Sequence, residues 1–594
     1  MTTRTLIAII ATMALTGACF AQDAAENLLA NPGFEADGNW GMRPPELISY
    51  DDTVARSGER SLKISDPAGQ SNPWAPQAVT GLKGGATYTF SAWYRTTEEG
   101  PAANRAAALK IEFYNEDGQN TKGQYARSSE ATNGEWTLIS RTSVAPPDTT
   151  RASVLVRLFA QGTVWFDDCA FVQTEPAPVV ALAPERLAPE AEAEEFTLTA
   201  RLAEPWDETE PPINIRVFEA DDGEIPSQTT LERVDASTFE ATVQMAEALA
   251  SGSYRVEATL GQTPGGMSWL HVPMADRKPE NLTDTGTILV DGEPFFPIGV
   301  YHCSPAHYPM LAEAGFNCVQ GKGPRNLERF GESLDAAAEN GIMVDVPLYA
   351  DGQVLANMSE SLAGIEAYAD HPAVMCWKII DEPDIREDIV DEVARAYVQL
   401  KAADRVRPIE LTLCQPPGFG YWADFCDIMQ VDPYPLPANP LTMVSDWLDT
   451  AKAGLEPWQN LTAVLQSGWK HNPFNQPTPE QARSQVYLAL IHGAKGIFWY
   501  SFRDPGWRLE ETPLWDAFPA INAELKTLSM PVMVGESDER VSVTSPDEVV
   551  HWRAWEHEGQ TWLLMTNPFE EPVTATVDPG GECRVCDMHG EGLE

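Results

Sequence analysis

Basic residues are scarce in this chain: 40 Lys and Arg stand against 88 Asp and Glu, a formal net charge of −48 over 594 residues. A surface of that sign repels nucleic acid and anionic membrane, so neither is expected as a partner. It leaves room for an anionic ligand, because a single pocket can be locally basic. Cysteine is also scarce, at nine residues. Most of these sit in apolar, strand-like runs and read as small buried hydrophobes. Cys583 and Cys586 form a lone CxxC, which in a secreted chain reads as a local disulfide or two idle thiols. HExxH, Cys/His metal spacing, a P-loop and a strand-borne GxGxxG are all missing, so no catalytic cofactor is expected. The one long apolar run, Leu6 to Leu15, follows Arg4 and precedes small residues. It predicts a signal peptide over residues 1–21, cleaved after Ala21, and hence a secreted or periplasmic protein. No second run of about 20 apolar residues occurs, so no membrane span is predicted.

What is present is organised around Trp377 to Asp384, WKIIDEPD. The apolar run Ala373 to Ile380 is short, partly β-branched and closed by Pro383, which reads as a buried strand. Asp381 and Glu382 then sit at its C-terminal end, where a (β/α)8 barrel carries its chemistry. The plain alternative is a pair of strand-end acids facing water.

Around this stretch the rhythm is strand–helix. Strand-like runs lie at Pro294–Tyr301, Phe316–Gly321, Ile342–Tyr349, Ala373–Ile380, Pro408–Cys414, Asp427–Asp432, Leu461–Ser467 and Ala494–Ser501, with helix-like runs between them. Eight such units predict a TIM barrel over residues 284–530, entered by a lead-in hairpin. Residues 26–174 alternate with period two between turn residues and predict a β-sandwich of jelly-roll type. Residues 175–190 are Pro/Ala-rich and read as a linker. Residues 191–280 alternate again, as an Ig-like or fibronectin-like sandwich that carries no chemistry. Residues 535–594 return to strands, a small C-terminal β domain that ends without a clear closing strand, as a fragment would. The whole is multidomain.

The barrel's strand ends supply Tyr301, His302, Gln320, Lys322, Tyr349, Asp381, Glu382, Asp432, Tyr434, Gln466, Trp469, Trp499, Tyr500, Arg503 and Asp504. Carboxylates with aromatics and amides suit sugars, since rings stack on pyranose faces and amides bond hydroxyls.

The first unit resembles CenC-type carbohydrate-binding modules through NLLANPGFE (Asn27 to Glu35), SGERSLKI (Ser57 to Ile64), YTFSAWYR (Tyr88 to Arg95), GEW (Gly134 to Trp136) and VWFDD (Val164 to Asp168). The resemblance implies a jelly roll with a structural calcium, for which Glu35 and Asp168 are the candidates. It also implies a sugar-binding face, with Trp40, Trp74 and Tyr125 as candidate platforms and Trp93 as a core member. The barrel resembles clan A glycoside hydrolases, through Glu382 after strand four, VDPYP (Val431 to Pro435) after strand six and Trp499 on strand eight. It implies Glu382 as acid/base, with a pKa raised by Asp381, Tyr434 as a supporting group, and a polysaccharide or oligosaccharide as substrate. One departure stands out: the clan's strand-seven Glu is Gln466 here, and an amide is no nucleophile for glycosyl transfer. Either Asp432 or Asp504 supplies the second carboxylate, or the barrel is a silent sugar platform. Placed on a neighbouring strand, that acid is expected farther across the mouth, which predicts inversion.

Overall fold

The computed structural model describes residues 26–581 and Cys586, apart from 68–72, 97–106, 119, 128–131, 133, 160–161, 184–185, 188–192, 208–210, 220–222, 350–354, 386–388, 438, 469–475 and 505. The expected signal peptide and Trp469 lie outside the described residues.

Eight parallel strands close into a barrel: Ile298–Val300, Cys318–Gln320, Met343–Pro347, Val374–Asp381, Ile409–Leu413, Ile428–Val431, Asn460–Gln466 and Ile497–Tyr500. Each overlaps a run expected from the sequence, with Asp381 and Asn460 the two residues that fall outside those runs. Their near-continuous apolar character reflects burial on both faces, as a parallel sheet under helices requires. Residues facing outward, such as Trp377, Ile379, Leu411, Leu465 and Trp499, join one apolar layer with the surrounding helices. Inward-facing residues, such as Cys318, Cys376, Ile428, Val464 and Phe498, form a separate cluster at the barrel axis, closed at one end by Leu282 and Ile288 of the lead-in segment. The helices start where the sequence offers caps. Asn326 accepts a hydrogen bond from Arg329 N at the start of Leu327–Glu339, and Thr478 and Gln481 form a capping box at Pro479–Ile491. Each such cap contributes about 1 kcal/mol.

The N-terminal unit is a sandwich of a five-stranded and a four-stranded antiparallel sheet. Alternation along Thr87–Thr96 sends Tyr88, Phe90, Ala92 and Tyr94 into its core. The second sandwich follows with almost no linker. Val180–Ala183 and Arg186–Leu187, within the expected linker, are strands of its two sheets. The Pro-rich composition hid a short apolar run, Val179 to Leu182, that the second core needed. This sandwich docks on the barrel through His271, which meets Tyr421 and Phe425 edge to face, and Arg277, which pairs with Asp424 and donates to Ala423 O. Among the described residues, the C-terminal strands build no core of their own. Trp555 and Leu564 merge into the barrel's outer apolar layer, beside the helix Phe518–Val534.

Candidate active site

Strand four sets the site. A register shift between Lys378 and Ile380 marks a bulge, which turns Asp381 back toward Lys378, with Nζ–Oδ1 at 3.1 Å. Bulges re-aim side chains in this way beside active sites. Glu382 then takes a left-handed backbone (φ +45°), which L side chains adopt only at a cost of order 1–3 kcal/mol. The Glu382 amide is held by Thr412 O at 2.9 Å. Strand four thus ends with its acids at the C-terminal mouth of the barrel.

Asp432, at the end of strand six, meets Glu382 there. The two carboxyls are hydrogen-bonded, and with the Cys414 thiol their polar atoms lie within 4.8 Å of one another. Burial pushes the Asp432 pKa far up, and the negative charges of Glu382, Asp381 and Asp384 push it further. Asp432, the more buried of the two, is therefore held toward its protonated form. Asp384 stands behind the pair. Its carboxylate accepts from Cys414 N (2.8 Å) and Gln415 N (2.6 Å), yet burial, with the Glu382 charge added, lifts its pKa to about 7. The wide separation expected of Asp432 is not what the fold gives. Retaining sites hold their carboxyls about 5–5.5 Å apart and inverting sites about 6.5–9.5 Å. The observed approach, with polar atoms within 4.8 Å, is closer than both.

Below the mouth lies a second polar layer, absent from the sequence expectations. Lys378 is fully buried, hydrogen-bonded to Tyr301 Oη and 3.6 Å from Glu410 Oε1. Glu410 and Asp345 are hydrogen-bonded to each other, and burial raises both pKa values while Lys378 opposes the rise. Cys376 Sγ lies 3.6 Å from Asp345 Oδ1 and 3.7 Å from Glu410 Oε2. Tyr301 Oη also donates to Gln430 Oε1 at 2.6 Å. Both acid–thiol sets have atoms of metal-ligand type. The inner set already has its cation in the Lys378 ammonium. In the mouth set, burial and negative neighbours favour a protonated Asp432, whose proton a metal would have to displace.

Around the pair, Tyr434 and Tyr500 pack with tilted rings at 5.7 Å, and Tyr500 meets His302 edge to face at 5.1 Å. His302 Nδ1 contacts Asp504 Oδ1 at 2.9 Å, and Ser501 Oγ donates to Asp504 Oδ2 at 2.8 Å. Asp504 is thus held by a histidine and a serine. Tyr349 is half-buried near Asp381, with its pKa raised by desolvation and by that charge. Gln320 is buried at the end of strand two, and Lys322 is exposed just after it.

Three expected site residues lie elsewhere. Trp499 is fully buried on the outer side of strand eight, edge to face with Phe518. Side chains alternate along a strand, so Tyr500, one residue on, faces the mouth beside Tyr434 and His302 instead. Gln466 is buried and clamps the loop after strand six: its Oε1 accepts from Leu436 N at 2.9 Å and its Nε2 donates to Leu436 O at 3.0 Å. Arg503 is ion-paired with Glu510 in a short hairpin, away from Asp504.

In the N-terminal sandwich, Trp74, Lys110, Tyr125 and Arg157 share the outer face of the four-stranded sheet. Arg157 lies over Trp74 (5.3 Å), and Lys110 lies over Tyr125 (4.8 Å). Trp40 is buried against Phe34 (5.2 Å), with its indole N–H on Asn31 O, so it is core rather than platform. Trp93 has the opposite fate: it faces out under the Arg56 guanidinium, 3.8 Å from the ring centroid. Glu35 and Asp168 both approach Gly33, as a shared ion site would require. Their oxygens are already engaged, however. Asp168 binds Arg56 and Ser57, and Glu35 accepts from Glu59 N and Arg60 N. Arg56 fills the role of the cation, so in this arrangement the set does not fit calcium. The strand Asn120–Arg127 of the same sheet borders the turn Pro416–Gly418 after barrel strand five, and a Cβ on Gly123 would lie 3.8 Å from Gln415 Oε1. This sheet therefore adjoins the barrel mouth.

Residues 26–162 match the family model described as a carbohydrate binding domain. A sugar is thus a partner of the N-terminal sandwich. No curated protein matches the chain. Among solved structures, the enzymatically active domain of bacteriophage CBA120 tailspike protein 4 is 13% identical, at TM-score 0.21, over 25% of this chain and 21% of that one. This chain therefore spans about a fifth of that relative's length. The CBM22-2 xylan-binding domain of Paenibacillus barcinonensis Xyn10C is 20% identical, at TM-score 0.21, over 24% of this chain and 98% of that one. Parabacteroides merdae β-glucuronidase is 10% identical, at TM-score 0.30, over 80% of this chain and 68% of that one.

Proposed function

We propose that the protein is a secreted glycoside hydrolase that acts on a polysaccharide or oligosaccharide, with Glu382 and Asp432 as its two carboxylates. The observation that carries this reading is the hydrogen-bonded pair itself. Two acids that share one proton supply what the reaction needs, a protonated acid and an ionised partner. Glu382 is the less buried member and meets the glycosidic oxygen as general acid/base. The shared proton crosses from Asp432 to Glu382 as the sugar enters. That leaves Asp432 ionised, to attack the anomeric carbon. Glu382 gives its proton to the leaving oxygen, then takes one from the water that releases the sugar from Asp432. The close spacing leaves no room for a water between the groups, so retention replaces the inversion expected from the sequence. Tyr434 and Tyr500 form the floor for the sugar ring, and the adjoining sandwich face holds the chain nearby.

The test is a screen of polysaccharides and aryl glycosides with the full chain, Glu382→Gln and Asp432→Asn, followed by proton NMR of the first-formed anomer. Turnover that both variants abolish, with retained configuration, is expected. Full activity in either variant would defeat the assignment.

A second reading is favoured by Gln466. Its side chain is committed to the Leu436 backbone, and no acid stands on strand seven where the resembling clan carries one. On that reading the barrel binds glycans without cleaving them, and wild type retains a glycan in affinity electrophoresis with no turnover.

A further inference from the structure

A cleft of about 440 Å³ opens between the ends of barrel strands two and three, next to the candidate site. Its walls include Lys322, Arg325 and Arg329, with Tyr349 on the side toward Asp381. Glu360 is the only acid that lines it among the described residues. In a chain with 88 acids and 40 bases, three cations at one cleft run against the composition. None of the three makes an ion pair among the described residues, although carboxylates are the commonest charged group on this surface.

The cations are also placed against local stability. Arg325 and Arg329 flank the N-terminus of the helix Leu327–Glu339, the positive end of its dipole. Acidic side chains stabilise that end and cations oppose it, by roughly 0.3–1 kcal/mol each. Only Glu328 follows the stabilising rule in the first turn. The loop that presents Lys322 is rigidly seated. A Cβ on Gly321 would come within 2.4 Å of Val344 Cγ1, and one on Gly323 within 2.2 Å of Pro347 O. The backbone on both sides of Lys322 is therefore pressed against strand three, where only glycine fits. Such a loop loses little freedom when a ligand binds.

We propose that this cleft is a subsite for an anionic sugar unit, taking its carboxylate or sulfate group between Lys322, Arg325 and Arg329. The volume lies within the range of small-ligand pockets, about 300–1,000 Å³, and admits one sugar ring. Arginine forks match the planar or tetrahedral oxyanion, and lysine adds a point charge. The proposal rests on the barrel's being a glycan-processing domain and narrows its substrate to an acidic polysaccharide. The cations offset the repulsion that the remaining surface imposes on such a chain, and they orient it across the mouth.

The experiment uses the full chain and matched probes: dextran, carboxymethyl-dextran and dextran sulfate oligosaccharides. Binding is measured by titration calorimetry at two ionic strengths, alongside the K322A/R325A/R329A variant. Wild type should prefer one anionic probe over neutral dextran by tenfold or more, and high salt should shrink the difference. The arm that wins identifies carboxylate or sulfate. The variant should lose the preference while its melting temperature is unchanged or raised, since it sheds two cations from a helix N-terminus. Equal binding of all three probes, or a preference that survives in the variant, overturns the proposal. Failure of the hydrolase reading is separable. Lost anion preference without turnover of any glycan upholds the subsite and removes the hydrolase. Turnover of neutral glycans alone, unchanged in the variant, does the reverse.

Discussion

Two pairs of hydrogen-bonded acids occupy one barrel, and they differ in what surrounds them. Asp345 and Glu410 lie in the closed interior, with Lys378 as their counter-charge and Cys376 filling the gap. Glu382 and Asp432 lie at the C-terminal mouth, and the strongest charges acting on Asp432 are all negative. The inner pair is compensated and sealed, so its work is to hold the barrel in one arrangement. The outer pair sets a buried acid among other acids at an opening, which costs stability and supplies a proton donor. Burial alone does not mark an acid as functional; burial among other acids, at an opening, does.

Four substitutions would break or sharpen that contrast. The largest effect is expected of Glu382→Gln, which should lower kcat/KM on natural glycans by about 10²–10⁴-fold, the usual contribution of a general acid. Aryl glycosides with activated leaving groups should lose less, and equal losses on both would remove Glu382 from the acid role. Next, Lys378→Met strips the inner pair of its counter-charge. Breaking a buried ion pair costs about 3–5 kcal/mol, to be read from the denaturant midpoint of unfolding. A midpoint like that of wild type would mean the inner layer is not held by charge. Gln466→Ala should cost about 1–3 kcal/mol, because Leu436 N and O lose their buried partner. A variant as stable as wild type would show that the clamp does not hold this loop.

The smallest effect is a pH dependence. Asp384 titrates at about 7 in the fold against an ordinary 3.8. The folded state therefore holds this proton more tightly than the unfolded state. Its contribution to stability is complete below pH 3.8 and is lost as pH rises toward about 7. Asp384→Asn should flatten the fall in melting temperature across that window. An unchanged slope would contradict the assigned pKa.

The eight strands were legible because burial on both faces writes itself as apolar runs between helical stretches. The mouth acids were legible because a proline closes strand four just after them. Orientation was harder to read. Trp499 and Tyr500 are neighbours of similar character, and a shift of one residue reverses the face. Gln466 sits at a strand end as expected, but its partner Leu436 belongs to a loop whose path the pattern does not encode. Lys378 and Glu410 did leave a signal: each is a charge inside an otherwise apolar strand, and two such charges in one barrel ask for each other. Trp40 and Trp93 exchanged roles for a related reason. Trp93 follows the alternation of its own strand outward, and Trp40, outside any strand, plugs the core.

The most direct test compares Asp432→Asn with Glu410→Gln in the same assay, on whichever glycan wild type turns over. Both changes replace a raised-pKa carboxyl with a neutral group of its shape. The account predicts that Asp432→Asn abolishes turnover while its melting temperature holds or rises, and that Glu410→Gln leaves kcat/KM within a few-fold of wild type. Turnover that survives Asp432→Asn but is lost in Glu410→Gln would contradict it.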